Sequence, residues 1–234
     1  MTEFAGNSES ISFARRGGLR RHVILLTLAL VLPVAARAGG EFSGEELRRL
    51  EAGEILTWTR PVAGRSVPWM KASGLVDAPP EAVWEIIDDC ARYKDTMPHT
   101  VESEELERHG GHVLCRATGD MPFPFSDLVT ETDAVHTIEP GKLYRREWKQ
   151  RSGDFAVNEG RWTLEPWRDG SCTLATYEAL TQPKIALPDV ILRFGTRTAL
   201  PEMIAALRKH AKASHGEGDR GGSPVCRGRL GAGQ

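Results

Sequence analysis

The side chains that could do chemistry form no recognisable catalytic motif. The sequence has no His-Glu-x-x-His zinc motif, no Gly-x-Ser-x-Gly nucleophile turn and no glycine-rich phosphate loop. Beyond residue 38 the histidines lack the spacing of metal ligands: His99, His109, His112, His136, His210 and His215. The sequence therefore predicts no catalytic residue, no metal site and no cofactor, and it favours a non-enzymatic protein.

Adjacent acidic residues are a second candidate, as a carboxylate pair for acid–base chemistry. Asp88 and Asp89 are consecutive, and neighbouring residues on a helix point in different directions. We therefore interpret them as flanking a helix end, and the acid-rich run 102–107 as a solvated strand edge.

One basic residue is a candidate for contact with a ligand headgroup. Side chains alternate between the two faces of a strand, so in the predicted strand 143–151 Arg146 shares a face with Trp148. If that face lines a pocket, Arg146 would orient a polar group of the ligand.

The four cysteines form no Cys-x-x-Cys pair, which argues against a zinc cluster or a redox motif. We interpret Cys90, Cys115 and Cys172 as small core residues, with one disulfide as the alternative. The sequence does not fix the disulfide state of these three residues or of Cys226.

The N-terminal segment 1–38 has the pattern of a secretory signal. Arginines precede the apolar run from Val23 to Ala36, and a small-residue site ends at Ala38, where we predict cleavage. The alternative, an uncleaved membrane anchor, is disfavoured because the run contains Pro33 and is shorter than the roughly 20 residues of a spanning helix. We expect an exported protein, periplasmic or secreted.

The composition describes one globular domain with extensions, since 40% of residues are hydrophobic and 26% are charged. Cleavage after Ala38 removes five basic and two acidic residues, which leaves 25 Lys and Arg against 30 Asp and Glu. Such a balance argues against nucleic-acid binding.

The elements that must position these side chains follow from periodicity and turn residues. We expect an N-terminal helix at 44–53 within an extension over 39–66, a main domain over 67–213 and a disordered tail over 214–234. The main domain reads as a strand, a short helix pair begun by Pro79 and ended by Pro98, and a long final helix that Pro201 kinks or splits. Between the helices we predict six consecutive strands: 99–109, 112–118, 125–136, 143–151, 157–166 and 171–180.

Three stretches resemble the START-like, or SRPBCC, helix-grip superfamily, especially its polyketide cyclase/dehydrase and coenzyme Q-binding branch. They are VDAPPEAVWEIIDDCARYKDTMPHTVESEEL, EGRWTLEPWRDGSCTLATYEAL and LPDVILRFGTRTALPEMIAALRKHA. The resemblance spans residues 45–212. It implies an α+β fold, in which a curved antiparallel sheet of about seven strands wraps around a long C-terminal helix. It also implies a hydrophobic tunnel of the kind that holds sterols, phospholipids, quinones or polyketides in relatives.

The superfamily has no universal catalytic motif, so the candidate ligand-binding residues are chosen by position. Besides Arg146, they are Phe125, Trp148, Trp162 and Tyr177 on the sheet, and Ile191, Phe194, Met203 and Leu207 on the final helix. For each of them the alternative is packing in the domain's own core.

The segment Met-Pro-Phe-Pro-Phe at 121–125 is a further candidate. Two prolines stiffen a loop whose Phe123 would be a pocket lid or a membrane contact, and the alternative is a hairpin in which Phe123 packs inward.

Three functions remain. The favoured one is binding or transport of a hydrophobic small molecule, such as a lipid, a quinone or an isoprenoid. The second is a cyclase or dehydratase acting on a polyketide-type substrate, which a buried polar pair with shifted proton affinity would support. The third is a module that binds a protein partner at a sheet edge, which the lack of a pocket would support.

Overall fold

The computed structural model describes residues 42–215 and Cys226, except for the side chains of 189–197 and 213–215. The helices are α1 (Gly44–Glu51), α2 (Pro80–Asp88), α3 (Tyr93–Thr96) and α4 (Asp189–His215), with a 3-10 turn at Cys90–Arg92. The strands are β1 (Leu56–Arg60), β2 (Trp69–Val76), β3 (Thr100–His109), β4 (His112–Gly119), β5 (Leu128–Glu139), β6 (Leu143–Gly153), β7 (Phe155–Trp167) and β8 (Cys172–Pro183).

The described strands form one curved antiparallel sheet in the order β1-β2-β8-β7-β6-β5-β4-β3. Strands β3 to β8 are the expected meander, and β2 pairs with β8. The sheet has eight strands because Leu56–Arg60 adds an edge strand beside β2. Register shifts within the β3–β4, β5–β6 and β7–β8 pairs mark bulges, which bend strands and so favour curvature. The helix-grip fold is confirmed.

Several strand ends differ from the prediction by one to three residues, and for one of them, the start of β5, the difference affects a predicted site residue. Strand β5 begins at Leu128, so Phe125 lies in the preceding loop. The two prolines and Asp127 explain the late start: proline cannot donate to a sheet, and the Asp127 carboxylate accepts a hydrogen bond from the Met121 N–H at 3.0 Å.

Helix α1 begins with the capping box that its sequence indicates. The Ser43 Oγ accepts from the Glu46 N–H, and the Glu46 carboxylate accepts from the Ser43 N–H. Its Leu50 side chain packs on the outer face of the sheet with Leu56, Leu75 and Leu174. This small core anchors the N-terminal extension.

Helix α2 packs on the inner face of the sheet. Pro80 is its first residue and Pro79 precedes it as the cap, one position later than expected. Its apolar face, which includes Val83 and Ile87, is fully buried in the main core.

Helix α4 covers the rest of that face and continues through Pro201 as one helix, so of the predicted kink or split, the split is wrong. Its Ile204 and Leu207 side chains are fully buried. A Cβ on Gly74 of β2 would lie 2.8 Å from the Ile204 Cγ2, so this glycine allows helix and strand to approach closely.

The cysteines are all paired, which corrects the prediction of core thiols with at most one bridge. Cys90 is bonded to Cys115, and Cys172 to Cys226. Sequence spacing alone could not show these pairs, because each joins elements that meet only through the fold. Cys226 lies in the segment predicted to be disordered, and the rest of that segment beyond His215 is outside the described residues, as is the predicted signal at 1–38.

Among the helices described in residues 42–215, none is long and apolar enough to span a membrane.

Candidate functional site

A cavity of about 190 Å³ lies where the inner face of the sheet meets α3 and α4. It is smaller than the about 300–1,000 Å³ typical of sites for drug-sized ligands. Its walls are mostly aromatic, apolar or neutral polar: Tyr93, Met97, Thr100, Cys115, Ala117, Thr130, Thr132, Arg146, Trp148, Asn158, Trp162, Tyr177 and Met203.

Three aromatic rings form the wall contributed by β6, β7 and β8. The Trp148 and Tyr177 rings stack with centroids 5.6 Å apart, and Trp162 lies 4.7 Å from Tyr177. Trp148 pairs across the sheet with Gly160, where a Cβ would come within 2.5 Å of the indole Cζ2. Glycine at position 160 therefore leaves room for the indole.

A series of two side-chain hydrogen bonds borders this wall. The Trp148 Nε1–H donates to the Asn158 Oδ1 at 3.2 Å, and the Asn158 Nδ2 donates to the Thr130 Oγ1 at 3.2 Å. The indole and the amide are thereby held in fixed orientations.

Arg146 is the one charged residue among the described residues that line the cavity. Only 2% of its surface is exposed. Its Nη1 lies 2.6 Å from the His136 Nε2, its Nη2 donates to the Cys115 Sγ at 3.0 Å, and its guanidinium carbon lies 5.7 Å from the centre of the Tyr93 ring.

His136 connects Arg146 to a carboxylate. Its Nδ1 lies 3.0 Å from the Asp88 Oδ1. Because a guanidinium has only donors, the Nε2 must accept, and the proton of a neutral ring then sits on the Nδ1, facing Asp88. Burial and the Arg146 charge lower the pKa of His136 to about 4, although Asp88 opposes this. The imidazole is therefore neutral near pH 7.

Two acidic residues that were interpreted as solvated or flanking belong to this network. Arg108 donates to the Asp88 Oδ1 at 2.9 Å and binds the Glu105 carboxylate with two hydrogen bonds at 2.8 and 2.6 Å. These contacts lower the pKa of Glu105 and raise that of Arg108. Strand pairing alone did not indicate these contacts with Arg108, because Asp88 comes from the end of α2.

The phenols of the cavity remain protonated. Burial raises the pKa values of Tyr93 and Tyr177 above their ordinary range. The Tyr93 hydroxyl donates to the Ile87 carbonyl oxygen at 2.5 Å.

The structure brings together five of the nine predicted site residues: Arg146, Trp148, Trp162, Tyr177 and Met203. Phe125 does not line the cavity, because it lies in the loop before β5. Leu207 is buried in the main core instead. The side chains of Ile191 and Phe194 are outside the described residues.

Sequence reasoning missed His136, Asn158, Thr130 and Tyr93 as residues of the site. For His136 a signal existed: the Glu139–Lys142 turn fixes a hairpin register that sets His136 opposite Arg146. For Asn158 the signal was its inward alternation with Trp162.

A second depression, of about 270 Å³, lies between α2 and α4. Glu85, Asp89, Arg92 and His210 line much of it. Although it is larger, its charged lining is a poor match for a hydrophobic molecule, and the aromatic cavity is the better candidate site.

A family model for polyketide cyclase / dehydrase and lipid transport matches residues 76–208, more than half of the chain. The chain belongs to this family. It is thus a START-like, or SRPBCC, protein, and the functions in the family's description concern hydrophobic molecules. No curated protein sequence matches the chain.

Solved structures share the fold at low sequence identity. The STAR-related lipid transfer protein from Xanthomonas axonopodis has a TM-score of 0.58 at 18% identity, over 68% of this chain and 93% of that one. Human StAR-related lipid transfer protein 5 has a TM-score of 0.59 at 14% identity, over 70% and 84%. The Zhui aromatase/cyclase of a Streptomyces species has 0.51 at 16% identity, over 71% and 100%.

Proposed function

We propose that this START-like protein binds and carries a hydrophobic small molecule, such as a lipid, a quinone or an isoprenoid, in the cavity between sheet and α4. The observation that carries the proposal is the unfilled space beside the stacked rings of Trp148 and Tyr177. Protein interiors are normally packed without such voids, and aromatic walls suit an apolar guest. The cavity volume suits a small molecule, or one chain of a larger one.

Binding is favoured over a cyclase-type reaction by the hydrogen bonds around the titratable groups. Both ring nitrogens of His136 are engaged, one by Arg146 and the other by Asp88. The raised pKa values of Tyr93 and Tyr177 leave neutral phenols, which are poor bases. The buried His136 does have a lowered pKa, as an enzyme's base can, but its proton-accepting lone pair already faces the Arg146 guanidinium.

Contact with a membrane is the second part of the proposal. Phe123 is 97% exposed in the loop between β4 and β5, at the sheet end where Thr100 and Thr130 reach the cavity. Its exposure contradicts the alternative of inward packing. Ile185 is 40% exposed in the segment between β8 and α4, at the same end, so two apolar side chains flank this end of the sheet.

Vesicle flotation tests the membrane contact. We expect Phe123→Ser to reduce binding to phospholipid vesicles several-fold, because a fully exposed phenyl ring would lose its burial in the bilayer interface. The matched control is Ile138→Ser, which removes an exposed apolar side chain at the opposite end of β5. Equal losses in both variants, or in neither, would reject Phe123 as the contact.

Export is the third part. The predicted signal over residues 1–38 motivates it, and two disulfides in a chain with four cysteines support an oxidising compartment. The alternative, an uncleaved N-terminal anchor, predicts a membrane-bound protein of full mass.

One preparation tests binding and export together. The full chain is expressed with its own N-terminus, purified from the exported fraction without detergent and weighed intact. We expect a chain that begins at Gly39 and carries two disulfides, and a solvent extract that contains a hydrophobic molecule in stoichiometric amount. An empty extract, together with no binding of fluorescent lipids, would overturn the carrier function.

A further inference from the structure

Arg146 is buried in the wall of a hydrophobic cavity without an ion-pair partner of its own. In the described part of the chain no carboxylate forms an ion pair with it, and its two named acceptors are an uncharged imidazole and a disulfide sulfur. A buried charge is costly unless it is paired. The guanidinium is therefore an unsaturated site for a negative group.

The carboxylate of Asp88 is separated from Arg146 by the His136 ring. Asp88 lies behind His136 and is shared with Arg108, which also binds Glu105. The four charges of Asp88, Glu105, Arg108 and Arg146 balance overall, so the empty protein tolerates the buried guanidinium. Neither Asp88 nor Glu105 is among the residues that line the cavity, so neither acid faces the space in which a ligand would bind.

The guanidinium retains donors for a ligand. Of its five N–H groups, two are directed at His136 and Cys115. The guanidinium carbon also lies over the Tyr93 ring, 5.7 Å from its centre, and these three contacts hold the group in place. A fixed planar donor set is suited to the two oxygens of a carboxylate or to a phosphate.

The remaining lining residues add selectivity. None of the described residues that line the cavity is acidic. A cationic ligand would meet the Arg146 charge without compensation, whereas an anion would be stabilised. The aromatic wall of Trp148, Trp162 and Tyr177 would hold the apolar body of the ligand.

We propose that the cavity selects an amphipathic acid, whose acidic group binds the Arg146 guanidinium and whose apolar body packs against Trp148 and Tyr177. This inference rests on the proposed binding function and names its ligand class. The cavity volume favours a free carboxylic acid of about ten heavy atoms over a whole lipid, so the acid group is a carboxylate rather than a phosphate headgroup.

The test compares matched probes by calorimetry at pH 7, on the protein purified from the exported fraction. The acids are octanoate and 2-naphthoate, and their neutral counterparts are octan-1-ol and 2-naphthalenemethanol. We expect each acid to bind about tenfold or more tightly than its alcohol, since a charge-assisted bond is worth more than a neutral one. Vesicles that contain phosphatidic acid form a separate arm. Extraction of phosphatidic acid without octanoate binding would overturn the free-acid assignment.

Variants of residues on strand β6 test whether Arg146 is the residue that binds the acid group. Arg146→Gln should bring the acid and its alcohol to within about twofold, while Arg146→Lys should keep part of the preference. The control Lys149→Gln removes the same charge from the exposed face of β6 and should keep the full preference. If Arg146→Gln does not fold, the comparison of acid with alcohol on the unaltered protein still tests the anion preference, and Arg146→Lys still tests the role of the guanidinium.

The outcomes separate the two proposals. Equal binding of acid and alcohol to the unaltered protein overturns the anion inference and leaves hydrophobic binding intact. An acid preference that survives Arg146→Gln overturns the role of Arg146. Binding of no probe, together with an empty solvent extract, overturns both.

Discussion

The space between the sheet and helix α4 has two regions that the same helix covers differently. In the packed region Ile204 and Leu207 fill the gap to Leu164 and Val76, and all four side chains are fully buried. In the cavity region Met203, their neighbour on α4, borders an unfilled volume.

The difference is chemical as well as geometric. The packed region is lined by aliphatic side chains, which need no partners. The cavity region contains a guanidinium, an amide and two phenols, each of which needs hydrogen bonds when it is buried. A void and a buried charge both reduce stability, so their occurrence together in one region is what the proposed binding function would require, while the packed region stabilises the fold.

The largest expected effect contrasts two residues of α4. Leu207→Ala should lower the free energy of unfolding by about 2–5 kcal/mol, because it opens a cavity in a filled core. Met203→Ala should cost less than about 1 kcal/mol, because Met203 already borders a void. Urea denaturation measures both, and similar losses would show that the two regions are not energetically distinct.

The two disulfides sharpen the comparison, since Cys90–Cys115 borders the cavity and Cys172–Cys226 lies in the outer core. Replacing either pair by serines should lower the unfolding free energy by about 2–4 kcal/mol. The sequence separations are 25 and 54 residues, so the loop-entropy model makes the second loss larger by about 0.7 kcal/mol.

Ligand binding should distinguish the two pairs. Loss of Cys90–Cys115 removes the covalent tie that holds the wall beside Arg146 in place and should weaken binding of octanoate several-fold. Loss of Cys172–Cys226 should leave octanoate affinity within about twofold. Calorimetry on the folded variants measures this, and equal weakening by both would mean that the cavity depends on global stability alone.

The sequence predicts the packed region better than the cavity region. The apolar spacing of α2 and α4 and the turns between strands were enough to place Val83, Ile87 and Leu207 in helices, because burial of apolar faces drives both features. Leu207 was nevertheless assigned to the cavity, since helical periodicity gives a face but not the depth at which a void begins.

Residues of the cavity depend on contacts between distant segments. Arg146 was predicted from strand alternation with Trp148, which is a local property. His136 faces it across the β5–β6 hairpin, but Cys115 comes from β4, and Asp88, which lies behind His136, comes from α2. Those last two contacts exist only after the sheet and α2 have packed together. Cys115 could not be recognised as half of a disulfide for the same reason.

The last expected effect concerns the pH dependence that the buried His136 gives to the cavity region. Burial and the Arg146 charge hold its pKa near 4, below the ordinary 6.5. Between these values the unfolded chain binds the proton and the folded protein does not. The stability contribution is therefore complete above pH 6.5 and is lost as the pH falls towards 4.

The change His136→Gln isolates this contribution. The difference in unfolding free energy between the unaltered protein and the variant should shrink by about 1–3 kcal/mol from pH 7 to pH 4.5, measured by urea denaturation. The control His109→Gln alters an exposed histidine and should show no such trend.

Parallel pH profiles for the unaltered protein and His136→Gln would mean that the imidazole takes up a proton in the folded state. His136 could not then accept from Arg146, and the neutral link between Arg146 and Asp88 would be refuted. Because the aliphatic side chains of the packed region do not titrate, a pH effect confined to His136 would locate the acid sensitivity of the fold at its binding cavity.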